Sequence, residues 1–144
     1  MTSTREMLEA SPAQVAFDLN DVVEGIDRCL AAVQACTSCA DSSLAEDEMA
    51  EMRDCIGLCL ICVQVCGAVA ALLSRPGQAD HYVLHRLLEG CVRACSECAE
   101  ECERHGAHHR HCAICARVCR ACERACSVLL EDEAFQELEK LAGG

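Results

Sequence analysis

The sequence predicts an all-α protein: an antiparallel up-down four-helix bundle with a Cys-lined core and a short N-terminal helix, built as one domain over residues 1–144. Three observations predict it. Ala, Leu, Glu and Arg, all good helix formers, are abundant, and no useful length alternates with the period of two that a strand requires. The two prolines, Pro12 and Pro76, fall at the boundaries of helical stretches. Cysteines recur every three or four residues in "CIGLCLICVQVC" (55–66), "CVRACSECAEEC" (91–102) and, one element longer, "CAICARVCRACERAC" (112–126), the rhythm that other bundles give to leucine.

The elements follow in order. A short helix over about 4–10 is ended by Ser11-Pro12. The first long helix runs over about 13–42, and "DSSLAED" (41–47) forms a turn carrying N-cap candidates. The second covers about 46–73 and stops at "SRPGQAD" (74–80), the clearest loop in the chain. The third spans about 80–105, "HGAHH" (105–109) makes a tight connection, and the fourth extends from about 109 to 141. Short connections between four long helices make neighbours antiparallel. The cysteine blocks of the last three helices read as an internal repeat, too uneven in length for a solenoid.

Composition narrows the chemistry. Hydrophobic residues make up 52% of the chain but aromatics only 2%, with no Trp, Tyr82 alone, and Phe17 and Phe135, so the 16 Cys fill much of the apolar count. Cysteine above ~10% usually marks a small secreted disulfide scaffold. Here "MTSTREMLEASPAQ" carries Arg5, Glu6 and Glu9 and no apolar signal-peptide stretch, and the cysteines sit in helix-forming sequence rather than Gly/Pro-rich loops. A cytoplasmic, reducing location with free thiols is therefore expected. No uninterrupted apolar run of ~18 residues suggests a membrane span. A net charge of -12 argues against a nucleic-acid partner, which would want a basic face.

At ~100° per residue, offsets of 0, 4, 7 and 11 fall within a stripe roughly 60° wide. Cys55, Cys59, Cys62 and Cys66 share one face, as do Cys91, Cys95, Cys98 and Cys102, and Cys112, Cys115, Cys119, Cys122 and Cys126 form a slightly wider stripe. In the first long helix the same phase reads Val22, Ile26, Cys29, Val33 and Cys36, with Cys39 at its edge. A buried cysteine can serve as a small hydrophobe. Replacing leucine by something smaller costs ~2 kcal/mol or more per seam position, so a dozen undersized side chains would leave a loose central channel unless something fills it. Thiolates choose soft metal ions.

Zinc wants four ligands in a tetrahedron, commonly from CxxC knuckles on turns, whereas "CTSC" (36–39) and "CSEC" (95–98) lie inside predicted helices. Cu(I) accepts two or three thiolates, and at metal–sulfur bonds of ~2.3 Å it bridges two sulfurs ~4.6 Å apart. A CxxxC pair one turn apart is a plausible clamp for it. Six exist: Cys55/Cys59, Cys62/Cys66, Cys91/Cys95, Cys98/Cys102, Cys115/Cys119 and Cys122/Cys126. The expected function is storage and buffering of multiple Cu(I) ions, with no catalysis. The rival readings are a zinc or mixed-metal sink resembling metallothionein, an iron–sulfur electron carrier, a thiol–disulfide oxidoreductase, and a structural disulfide bundle.

An up-down bundle separates two ends. One gathers Val22, Ile26, Val69, Leu73, Leu84, Leu88 and Leu129 and is expected to be sealed. The other gathers Cys36, Cys39, Cys55, Cys102 and Cys112 beside His105, His108, His109 and His111, with Met52 one turn before Cys55. Imidazole and thioether at this mouth suit transient Cu(I) ligation. His81 and His85 are expected at the surface, and Arg110, Arg117, Arg120 and Arg124 on a solvated or subunit-contacting face.

The segment "CAEECERHGAHHRHCAICARVCRACERAC" (98–126) resembles the helix 3–4 hairpin of the bacterial copper storage proteins, in particular their cytosolic branch, and the resemblance extends over about 20–130. It implies a homotetramer of four-helix bundles, each holding many Cu(I) ions on core thiolates. The implied ligands are the cysteines of the six CxxxC pairs with Cys29, Cys36, Cys39 and Cys112, and His105, His109 and His111 match the entrance. A copper chaperone is a candidate donor. Where family members often carry further cysteines this chain has Val22, Ile26, Val33 and Ser43, which implies a lower capacity toward the sealed end.

Overall fold

The computed structural model describes residues 2–78, 80–132 and 135–136. Among these residues, five α-helices and one 3-10 turn follow in order: α1 (Thr4–Ala10), α2 (Leu19–Leu44), the turn Met49–Met52, α3 (Arg53–Leu73), α4 (His81–His105) and α5 (Arg110–Leu130). The four long helices close a ring in which α2 packs on α3 and α5, and α4 packs on α5 and α3. The expected antiparallel bundle with a short N-terminal helix is what forms.

Local chemistry sets the boundaries. The helix expected from about residue 13 begins only at Leu19, because the Asp18 side chain accepts from the Asp21 amide at 3.2 Å and caps α2. The preceding segment is an irregular strap whose Val15 and Phe17 pack against the core. At its other end α2 overruns the expected turn and carries Ser43, fully buried, into its last turn. The chain then turns and re-enters helix through Met49–Met52, so α3 starts at Arg53 instead of residue 46. Asp80 caps α4, accepting from the amides of Tyr82 at 2.9 Å and Val83 at 3.2 Å. α5 ends at Leu130 in a turn where the Glu131 amide donates to the Ser127 and Val128 carbonyls. The expected continuation over 137–141 lies outside the described residues.

The sealed end forms as expected. Val22, Ile26, Val69, Leu73, Leu84, Leu88 and Leu129 are all buried. Helix α2 approaches so closely there that a Cβ on Gly25 would stand 2.7 Å from Leu129 Cδ1. Beyond that layer, Phe17 stacks on Phe135 with ring centroids 4.5 Å apart. His85 departs from the expectation of a surface residue: it is buried against Phe135, at 5.2 Å between rings, while His81 lies half-buried on Phe17. The apolar strap and Phe135 cover a helix face that the four long helices alone would leave open.

Outer faces carry charge pairs such as Arg28–Glu24 at 2.6 Å and Arg93–Glu97 at 2.7 Å. Arg120 reaches from α5 to Glu103 of α4 at 2.7 Å. Apolar side chains are also about half exposed on the outer faces, among them Leu30 on α2, Leu60 and Ile61 on α3 and Val83 on α4. Residues 49–73 are long and apolar enough by composition to cross a membrane, although the cysteine face of this helix is buried in the bundle.

Candidate metal centre

All 16 cysteines are free thiols and none is more than 1% exposed. Heptad phase explains this: each stripe is the core face of its helix, so four helices aim their sulfurs at one axis. A one-turn clamp needs its two sulfurs ~4.6 Å apart, so the CxxxC pairs are not expected among contacts shorter than ~4.0 Å. The close sulfur contacts run between helices. Cys36 on α2 meets Cys119 at 3.5 Å and Cys115 at 3.7 Å on α5. Cys29 meets Cys122 at 3.6 Å and Cys126 at 3.8 Å. On the α3–α4 side, Cys55 meets Cys102 at 3.5 Å, Cys59 meets Cys98 at 3.7 Å, and Cys66 meets Cys95 at 3.6 Å and Cys91 at 3.7 Å. Diagonal contacts at 3.9 Å, Cys59–Cys115 and Cys66–Cys122, join the two sides.

Three four-sulfur sets result, with all sulfurs in a set within 4.8 Å of one another: Cys29, Cys66, Cys91 and Cys122; Cys36, Cys98, Cys115 and Cys119; and Cys39, Cys59, Cys102 and Cys115. Of the six CxxxC pairs, only Cys115/Cys119 shares a set. Cys62 stands apart from these sets, donating to the Ala94 carbonyl at 3.2 Å. Nor is the seam a loose channel: its sulfurs stand in van der Waals contact, about 3.5–4.0 Å between heavy atoms. Cysteine brings the helices closer together instead of leaving space between them.

Proximity also sets the proton affinities. Hydrogen bonding from Cys102 above all draws the Cys39 and Cys55 thiols below their ordinary value, while Cys115, Cys39 and Cys55 push Cys102 up. Neighbouring S–H groups thus stabilise a thiolate among them, as a soft cation entering the set requires.

The mouth is built from the α2–α3 and α4–α5 connections and the start of α5. His111, in the first turn of α5, places Nδ1 3.3 Å from Cys39 Sγ and 3.5 Å from Cys112 Sγ, completing a fourth cluster. Its Nε2 hydrogen-bonds Glu46 Oε1 at 3.1 Å, and the other oxygen of that carboxylate stands 3.3 Å from His109 Nδ1. Burial lowers the proton affinity of His111, but contact with Cys39 and Glu46 outweighs it and leaves a net rise. His105 turns away from the sulfurs: its Nε2 lies 3.1 Å from Glu101, a buried carboxylate that also takes two hydrogen bonds from Arg104. His108 is exposed. Met52 is fully buried at the end of the 3-10 turn, inside the mouth layer rather than on its rim. The sequence reading placed the histidines and Met52 at this end but missed Glu46 and Glu101. The signal for Glu46 is an acidic "AEDE" connection at the same end of the bundle as the His-rich one.

The family model described as copper storage protein matches residues 19–131. A solved structure of the copper storage protein Ccsp from Streptomyces lividans, loaded with 10 copper equivalents, is 40% identical with a TM-score of 0.86, covering 88% of this chain and 97% of that one. A structure of copper loading to a cytosolic copper storage protein from Streptomyces lividans, with five coppers, is 42% identical with a TM-score of 0.75, covering 77% of this chain and 92% of that one. A variant of Streptomyces lividans Ccsp with two histidines replaced by alanine matches at 40% identity and a TM-score of 0.77, over 79% of this chain and 96% of that one. No curated protein matches the chain. The family match spans the four long helices almost end to end and takes in every cysteine of the seam, so the chain belongs to the copper storage protein family.

Proposed function

We propose that this protein is a cytosolic, single-domain store that takes up multiple Cu(I) ions on its core thiolates through the mouth at His111. The observation that carries the reading is the burial of 16 free thiols from four helices, 15 of them in sulfur contacts of 3.5–3.9 Å. The proposed ligands are all 16 cysteines, with His111 and His109 at the mouth, His105 and Met52 flanking it, and Glu46 supporting the imidazoles. An ion arriving at the mouth meets imidazole first, then the Cys39 and Cys112 sulfurs, and passes inward along overlapping sets that share Cys115. Each step displaces thiol protons. Two- and three-coordinate Cu(I) at ~2.3 Å bonds needs sulfurs about 4.6 and 4.0 Å apart respectively, so loading spreads the contacts by several tenths of an ångström to about 1 Å.

The half-exposed Leu60 and Ile61 on α3 support a homotetramer, since apolar side chains of this size on one helix face gain most from burial against copies of the chain. A copper chaperone is the proposed donor, and the role is binding rather than catalysis.

One observation favours a second reading. Sulfur separations of 3.5–3.9 Å match the ~3.8 Å edge of a zinc–thiolate tetrahedron. Two of the three four-sulfur sets share Cys115, so unbridged zinc can occupy only two of these sets at once. Stoichiometry separates the readings. Anaerobic titration of reduced protein with Cu(I) against a competing chelator is expected to break near one ion per cysteine, with zinc saturating at about two to four ions. A copper break at about four ions or fewer refutes the storage reading.

A further inference from the structure

We propose that Glu46 is a positioning residue for copper uptake: its carboxylate fixes the ring orientation and tautomer of His111, so that the Nδ1 lone pair faces the Cys39 and Cys112 sulfurs. The inference rests on the reading of His111 as the imidazole through which copper enters. Its geometry is independent of that reading.

His111 has one ring nitrogen on each side of a chemical divide. Nδ1 is 3.3 and 3.5 Å from two sulfurs, while Nε2 is 3.1 Å from Glu46 Oε1. An ionised carboxylate only accepts hydrogen bonds, so the nitrogen facing it carries the ring proton, and the neutral imidazole keeps its lone pair on the opposite nitrogen. A 180° ring flip would aim carbon at the sulfurs and break the Glu46 bond, so the same contact selects both proton position and orientation. The other Glu46 oxygen lies 3.3 Å from His109 Nδ1, and the two imidazole rings are 5.7 Å apart. One side chain from the α2–α3 connection thus braces two from the start of α5. The side chains of Glu46, His109 and His111 are only 29%, 14% and 23% exposed, so the brace works in a partly dehydrated site where a hydrogen bond to a charged acceptor is strongest. Losing such an outer partner of a metal-binding histidine typically costs 10–100-fold in affinity or activity.

The test is a double-mutant cycle on the full chain. Glu46→Ala, Glu46→Gln, His111→Ala and the Glu46→Ala/His111→Ala pair are purified reduced, and thermal melts of the apo forms confirm folding. Stopped-flow absorbance then follows Cu(I) transfer from its bathocuproine disulfonate complex, and nitrogen-15 NMR of the ring reports which His111 nitrogen carries the proton. In the parent, the proton is expected on Nε2. Glu46→Ala is expected to slow transfer at least about tenfold and to blur the ring signature. Glu46→Gln, whose amide oxygen can still accept from Nε2, is expected to restore most of the rate and the tautomer. In the His111→Ala background, Glu46→Ala is expected to cost clearly less than in the parent, the remainder acting through His109. An equal loss in both backgrounds, or a proton on Nδ1 in the parent, overturns the proposal. If His111→Ala itself leaves transfer unchanged, the premise that copper enters through His111 fails, and that outcome is separately visible.

Discussion

Cys36 offers the sharpest separation of packing from metal binding. Its sulfur is fully buried, touches Cys119 and Cys115 at 3.5 and 3.7 Å, and belongs to a set completed by Cys98. Cys36→Ala removes one heavy atom of roughly methylene size, worth about 0.8 kcal/mol of burial. A residual cavity of about 25 Å³ at about 24 cal/mol per Å³ adds about 0.6 kcal/mol. The apo protein should therefore lose about 1.4 kcal/mol, or about 3–6 °C in Tm for a chain of this size. Cys36→Val refills the space and should stay within about 1 kcal/mol of the parent. Copper capacity should behave differently, falling by about one to two ions in both variants because a bridging thiolate is gone from each. Differential scanning calorimetry of the apo forms, paired with anaerobic Cu(I) titration, reads the two quantities separately. A Cys36→Val variant that binds as much copper as the parent would refute the argument, since the sulfur would then be serving packing alone.

Three further outcomes follow from the same structure. Gly25→Ala should destabilise by about 1 kcal/mol, because overpacking against the buried Leu129, whose Cδ1 would stand 2.7 Å from the new Cβ, outweighs the helix-propensity gain. Gly90→Ala, with nothing within 4 Å of the added Cβ, should stabilise by about 0.5–1 kcal/mol, and urea denaturation compares the pair. Burial above all, then Cys39 and Cys55, holds the Cys112 thiol above its ordinary 9.0, so throughout the neutral range copper bound there must expel a proton. Lower pH supplies the competitor, so apparent affinity at the mouth should rise about tenfold per pH unit for each proton displaced, as chelator competition across about pH 6.5–8.5 would show. Ile61→Glu, placing a charge on the exposed apolar face of α3, should shift the proposed tetramer toward monomer in light scattering.

Helical phase made much of this molecule legible in the sequence. Offsets of 4, 3 and 4 give the buried face of each helix directly, so every cysteine expected in the seam is there. Phase along one helix says nothing about the stagger between helices, and stagger decides which sulfurs meet. Cys66 on α3, for example, meets both members of the Cys91/Cys95 pair. His85 escaped for a related reason: its burial depends on Phe135, 50 positions away, folding back over the helix. The start of α2 was misjudged because Asp18 competes as a cap inside a stretch whose residues all tolerate helix. Glu46 lay hidden because an acidic turn ordinarily faces water, and only the bundle's end-to-end arrangement sets it against the histidine connection.

The apolar plug of Val22, Leu73, Leu84, Leu88 and Leu129 has a consequence for the order of traffic. With copper entering at the opposite end through His111, as proposed, the seam works as a stack. Ions taken up early are pushed toward the plug, beneath those that arrive later, and withdrawal runs in reverse. Newly acquired copper is therefore the first available to an acceptor, while the oldest exchanges last. An isotope pulse should leave the protein before the unlabelled metal that preceded it.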